Sequence, residues 1–282
     1  MRWVCLFITL CVLCAVSAPA ARSEELLVVM SLRSSGYTEV LKSVTSTCSV
    51  SLREIYINEN PDVDLARMAR EVRSRAVLAV GDKAFRMATK ALPRMPVVGV
   101  LTLEPQSSSR FSKTISYLAR PEQYLALMKQ INRRKVGVIY GSQMSSYIRK
   151  ADKVAQGYGI VLEKREVNGP QGVKGALSTL VGEVDALWVL PDSTVVTQDT
   201  IEHLFNFASA TSTPAIVFSK NYLKNGAAVA LEPERSSMGM LAGRYVCEAL
   251  GVDQNSGAVL PGQVYSILGN QDVLRQLGLP PL

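Results

Sequence analysis

The chain is poor in the groups from which catalytic sites are commonly built. It has one histidine in 282 residues, His203. That residue stands two positions past Ile201, roughly opposite the apolar stripe of its predicted helix, and reads as an exposed helix histidine. A lone histidine there excludes Ser-His-Asp and Cys-His relays and leaves no basis for a histidine-based zinc site. The glycine patterns G-x-G-x-x-G and G-x-x-x-x-G-K-[ST] are absent, as is G-x-S-x-G, so the usual phosphate cradles and the nucleophile elbow are missing. Asp82, Asp192, Glu232 and Glu234 would suit glycoside hydrolysis in principle, but nothing in their spacing selects any two. No catalytic residue, cofactor or metal ligand is expected. Heptads, low-complexity tracts and membrane-length apolar runs are also missing beyond the amino-terminal segment.

Cysteine is scarce in the body of the chain. Of the five, Cys5, Cys11 and Cys14 fall in the apolar run Val4–Val16, which follows the single positive charge of Arg2. The run has the length of a signal-peptide core, and Ala18-Pro19-Ala20 gives a small-x-small cleavage pattern, so residues 1–20 read as a leader cut after Ala20. It is shorter than the roughly 20 residues of a spanning helix. Cys11 and Cys14 each follow a leucine, where a lipoprotein signal needs a small residue. A freely soluble exported protein, periplasmic after cleavage, is expected. Only Cys48 and Cys247 then remain, too few for a disulfide scaffold, so the core must come from apolar burial. They are either small buried hydrophobes or a bridge formed in an oxidising compartment.

Charge excludes little by itself. Loss of Arg2 takes the formal net charge from +7 to +6. The basic residues are scattered, as in Arg67, Arg70, Arg73 and Arg75 on one predicted helix, and carboxylates are interleaved. With no aromatic-basic motif in an exported chain, nucleic acid is not an expected partner.

What the chain has is a repeated unit. Val184–Ser219 holds a strand at Ala186–Leu190, apolar without alternation, as when helices cover both faces of a sheet. It breaks at Pro191 into Asp192, Ser193 and Thr194. A helix follows in which Ile201, Leu204, Phe205 and Ala208 form one apolar stripe. Asp199 with Glu202 resembles a capping box. Strands of the same kind are predicted at Leu26–Met30, Arg53–Ile57, Ala76–Val80, Pro96–Leu101, Val136–Tyr140, Ile160–Val167 and Ala215–Phe218, with helices between. Strands alternating with helices argue for parallel sheets and right-handed crossovers. In such sheets ligands bind outside the carboxyl ends of the strands. Six strands stop in small or polar residues, which makes Ser31, Arg33, Asp82, Thr102, Tyr140, Ser142, Gln143, Asp192, Ser193, Thr194 and Ser219 the candidate ligand contacts. The competing role for each is a loop cap or helix N-cap.

Two groups of about four strands, separated by the polar stretch Glu104–Ser112, suggest two similar lobes. A third zone follows: a strand at Ala227–Leu231, a helix at Ser237–Leu250, a strand at Gln263–Leu268 and a helix at Asn270–Leu277.

The segments Arg134–Gly141 (RKVGVIYG), Val184–Val195 (VDALWVLPDSTV) and Asn225–Leu231 (NGAAVAL), with the Gly239–Leu250 helix and closing Ser266–Leu279, resemble the substrate-binding proteins of ABC transporters. The likeness is to the branch whose characterised members bind aromatic amino acids, and it runs from about Ala76 to the end. It implies a type I periplasmic-binding-protein fold: two Rossmann-like lobes with parallel sheets, joined by three hinge crossings, with ligand closed between them. It places residues 21–112 with 234–262 in lobe 1 and residues 113–233 with 263–282 in lobe 2.

Asp192, Ser193 and Thr194 match the family's Asp-Asn-Thr contact loop. Tyr140, Ser142 and Gln143 match the preceding strand-end loop, and Ser219 with Lys220 the following one. Lobe 1 departs from the pattern at Gly81-Asp82-Lys83 and at Ser31–Ser35. Asp82, Lys83 and Arg33 would suit a ligand carrying both charge signs. Hinges are expected near Glu104–Thr114, Glu232–Arg235 and Leu260–Gln263. The function implied is a monomer that delivers a small, amino-acid-like or other polar solute to an ABC permease. A binding protein that reports ligand to a membrane sensor, and a cleft hydrolase using carboxylates, are the alternatives from other classes.

Overall fold

The computed structural model of the protein describes residues 25–103, 111–253 and 263–282. The expected leader, 1–20, and the expected hinge residues 104–110 and 260–262 lie outside them. Two sheets organise the chain. The first is built from β1 (Glu25–Met30), β2 (Ser51–Tyr56), β3 (Val77–Val80), β4 (Val97–Thr102) and β5 (Ser112–Ser116), in the order β2-β1-β3-β4-β5 and all parallel. The second contains β6 (Lys135–Tyr140), β7 (Val161–Glu166), β8 (Ala186–Trp188), β9 (Ala215–Val217), β10 (Val229–Pro233) and β11 (Tyr265–Gly269). Its order is β11-β10-β9-β8-β6-β7, and only β11 runs antiparallel. Without β11, the second sheet repeats the strand order of the first.

Each sheet is a middle layer. In β1, Leu26, Val28 and Met30 pack with α1 (Ser35–Thr47) and α8 (Arg235–Leu250), while Leu27 and Val29 face α2 (Leu65–Glu71) and α3 (Asp82–Ala91). In β8, Ala186 and Trp188 face α4 (Pro121–Gln130), α5 (Ser145–Tyr158) and α9 (Gln271–Gln276). Leu187 faces α6 (Val173–Ser178) and α7 (Ile201–Ala210). A strand covered on both faces must be apolar at every position, which is why the sequence shows runs rather than alternation. The edge strands β2 and β7 keep exposed polar positions.

The chain passes between the sheets three times. It leaves β5 for α4, returns from β10 to α8 on the first sheet, and comes back from α8 to β11 beside β10. α8 is held tightly on arrival. A Cβ at Gly239 would lie 2.5 Å from the Val40 carbonyl oxygen, and one at Gly243 2.9 Å from that of Val44. Only glycine lets α8 approach α1 so closely. Cys48 and Cys247 form a disulfide at the end of this contact, with their Cα atoms 5.7 Å apart and a separation of 199 in sequence.

Two expectations need correction. Lys113–Ser116 belong to β5 and pair with β4, so the first sheet continues past the division placed after Ser112. The Asp199–Glu202 capping box does not form: the N-cap of α7 is Thr200, whose hydroxyl donates to the Val195 carbonyl at 2.6 Å. His203 is exposed, as its spacing predicts.

Candidate functional site

The carboxyl ends of β1 and β3 adjoin in the first sheet, and those of β6 and β8 in the second. Strand order reverses at these places, leaving a crevice above each sheet. A cavity of about 780 Å³ opens there, lined by both lobes and by the crossings between them.

Lobe 1 supplies the loop after β1 and the start of α3. Ser31 receives the Ala84 N–H on its hydroxyl at 3.1 Å, satisfying one of the amides that the first turn of a helix leaves unpaired. Gly81 has φ of 89°, and a Cβ there would lie 2.6 Å from both the Ser31 hydroxyl and the Tyr37 phenol. Burial raises the Tyr37 pKa above its ordinary value, and the Asp82 charge adds to this. Asp82 accepts the Leu103 N–H at 2.9 Å, tying the start of α3 to the end of β4. Lys83 and Arg86 from α3 complete this wall.

The crossings supply a polar knot. Glu232, only 5% exposed, accepts the Lys220 N–H at 3.0 Å, Arg235 Nη2 at 3.0 Å and the Tyr117 hydroxyl at 3.3 Å. Tyr117 and Arg235 line the cavity. Burial, then the Glu232 charge, pushes the Tyr117 phenol up to about 12. The ring of Tyr117 stands edge-on to Phe218 at 6.4 Å. The crossings also hold one another: Gln263 donates to the Ser116 carbonyl at 2.7 Å, and the Glu234 N–H to the Val264 carbonyl at 2.9 Å.

Lobe 2 reaches the cavity through Pro191 and Asn221. Next to Pro191, the Asp192 carboxylate is 1% exposed and points into the protein. It accepts the Gly141 N–H at 2.6 Å, Gln143 Nε2 at 2.7 Å and the Thr194 N–H at 2.8 Å. It clamps its own turn to the loop after β6.

Of the candidates chosen from sequence, Ser31 and Asp82 line the cavity, as does Lys83, offered beside them for its charge. The others do not. Arg33 pairs with Glu59 at 3.1 Å and stacks over Tyr56 at 3.8 Å, a surface arrangement. Thr102 is fully buried at the end of β4, and its hydroxyl has no hydrogen-bond partner among the described residues. Tyr140 packs against the lobe 2 core, and burial raises its pKa. Ser142 is exposed, Gln143 is drawn to Asp192 and to the Ser193 hydroxyl, and Thr194 lies under Gly141. Ser219 caps the turn after β9 by accepting the Asn221 N–H at 3.4 Å. Tyr37, Arg86, Tyr117 and Arg235 were missed. The only signal for the last was its place among the expected hinge residues, just after Pro233.

Parallel sheets of matching strand order, three crossings and a cavity at the strand ends define the two-lobed type I periplasmic-binding-protein fold. The sequence matches the ABC transporter substrate binding protein family over residues 108–264, and the chain belongs to that family. A ligand-free, open substrate-binding protein with adhesive properties from Clostridium difficile superposes with a TM-score of 0.69 at 15% identity, covering 92% of this chain and 96% of that one. The ABC domain from Streptococcus pneumonia in complex with L-Trp gives 0.64 at 13% identity, over 92% and 95%. A periplasmic ribose ABC transporter protein from Conexibacter woesei gives 0.60 at 10%, over 91% and 95%. At such identities these structures speak for the fold alone. No curated protein matches the sequence.

Proposed function

We propose that the protein is the exported, periplasmic binding component of an ABC importer, which closes its lobes on one small amino-acid-like solute and presents it to the permease as a monomer. The observation that carries this is the 780 Å³ cavity, lined from lobe 1, from lobe 2 and from two of the crossings. Its volume lies within the range usual for small-molecule sites. The lobes rotate about residues 117–120, 233–235 and 263–264, where the chain changes sheets, in the manner of hinge closure around ligands. Rotation brings the loops at Gly141–Gln143 and Asp192–Thr194 toward Ser31 and Asp82, so in the closed form the exposed Ser142 and Ser193 face the ligand while Asp192 holds their loops in place. The L-Trp held by the Streptococcus protein of the same fold favours an amino-acid ligand.

A thermal-shift screen over amino acids, carboxylic acids and neutral sugars tests this reading. A ligand at 100 times its Kd adds about 2.7 kcal/mol to the folded state. At about 2–4 °C per kcal/mol for a chain of this size, melting should rise by about 5–11 °C. Turnover of the bound compound, or a scattering profile unchanged by it, would count against a closing transport component.

A further inference from the structure

We infer that Arg235 is the ligand-selecting residue of the cleft, and that it makes a carboxylate a required part of the solute. This rests on the reading of the cavity as the solute site. Arg235 begins α8, at the crossing where the chain returns to lobe 1, and its side chain is 25% exposed toward the cavity it lines. Among the described residues its only hydrogen bond runs from Nη2 to Glu232 Oε1, at 3.0 Å. A guanidinium has five N–H donors in a rigid fork, so this one bond does not saturate it.

The group is positioned on two sides. Glu232 is fixed by the Lys220 N–H and the Tyr117 hydroxyl, so it holds one end of the fork in place. Gly36 makes room on the other: a Cβ there would lie 3.0 Å from Arg235 Nε. A pre-oriented fork matches a planar two-oxygen anion better than any neutral group does.

Charge sets the class further. The cavity carries three cations, Lys83, Arg86 and Arg235, against two carboxylates, Glu39 and Asp82. With Glu232, the carboxylate paired to Arg235, the formal count is three against three, which leaves no surplus to hold a phosphate dianion. Glu232 belongs to β10 of lobe 2 and Arg235 begins α8 on lobe 1, so a carboxylate on Arg235 bears on the contact that joins the lobes.

The test uses the mature protein with named probes: the twenty amino acids, L-tryptophanamide, short mono- and dicarboxylates, inorganic phosphate, glucose and ribose. Calorimetry should find binding only for carboxylates, with amidation abolishing it. Arg235→Gln should weaken the best binder on the order of 10–100-fold, as expected for losing a charge-assisted hydrogen bond. It should also flatten the fall of affinity with added salt. Arg235→Lys keeps the charge without the fork and should fall between, which guards against a variant that fails to fold. A sugar, phosphate or the amide binding best would overturn the inference while leaving a solute-binding role intact. So would Arg235→Gln binding a carboxylate as tightly as wild type. Binding of none of these probes would overturn the inference and the reading of the cavity together.

Discussion

Asp192 separates two physical roles that a polar residue at a strand end can play. Its carboxylate is 1% exposed and accepts three hydrogen bonds, from the Gly141 amide, the Gln143 side chain and the Thr194 amide. Replacement by alanine leaves two backbone N–H groups without acceptors in a dry place, where each orphan costs about 1–3 kcal/mol. Removing the buried charge also removes its desolvation cost, which offsets part of that loss. A net loss of about 2–4 kcal/mol follows, and at about 2–4 °C per kcal/mol the melting temperature of Asp192→Ala should fall by about 4–16 °C.

Asp192→Asn sharpens the test. Its amide oxygen can still accept from Thr194 and Gln143, but its NH₂ then faces the Gly141 N–H, donor against donor. Calorimetric melting of the ligand-free protein should therefore rank wild type above Asn and Asn above Ala. If Asp192→Ala melts with wild type while ligand affinity collapses, the carboxylate is a ligand contact and the internal-clamp argument is wrong.

Further predictions rest on other parts of the fold. The Cys48–Cys247 bridge closes a very long loop and joins α1 to α8, so Cys48→Ser with Cys247→Ser should lose about 2–5 kcal/mol. Both sulfurs are buried, so a thiol reductant should leave native melting unchanged until unfolding exposes the bridge; an unchanged double variant would refute the role. Burial and the Glu232 charge raise Tyr117 to about 12, and burial raises Tyr265 to about 12. Phenols whose pKa is raised in the folded state stabilise it fully below their unfolded value near 10, and that stability is lost as pH climbs from about 10 to 12. Stability should decline across that window, less steeply in Tyr117→Phe, and an equal slope in the variant would refute the cause assigned.

Periodicity made the sheets legible and left the cleft unread. Val77–Val80 and Ala186–Trp188 were found because strands buried on both faces are continuously apolar. β5 was missed because an edge strand reading Ser-Lys-Thr-Ile-Ser has one buried residue, Ile115, and no run to detect. Ser31 and Asp82, which line the cavity, stood out because each follows a continuously apolar run. Asp192 was placed correctly at a strand end, but its partners Gly141 and Gln143 lie 51 and 49 residues away in sequence, so its inward turn could not be read locally. The residues most exposed to this limit are those of the crossings. Tyr117 and Arg235 follow the last residues of β5 and β10, where the chain leaves one sheet for the other, and Glu232 is a charged residue near the end of an otherwise apolar strand, so the apolar pattern lapses at all three. Hydrophobic spacing reports burial against one sheet and carries no information about the distance between two. A knot of buried charge at a crossing is therefore visible only once both lobes are in place, and in this chain that knot holds the cleft's best-positioned cation.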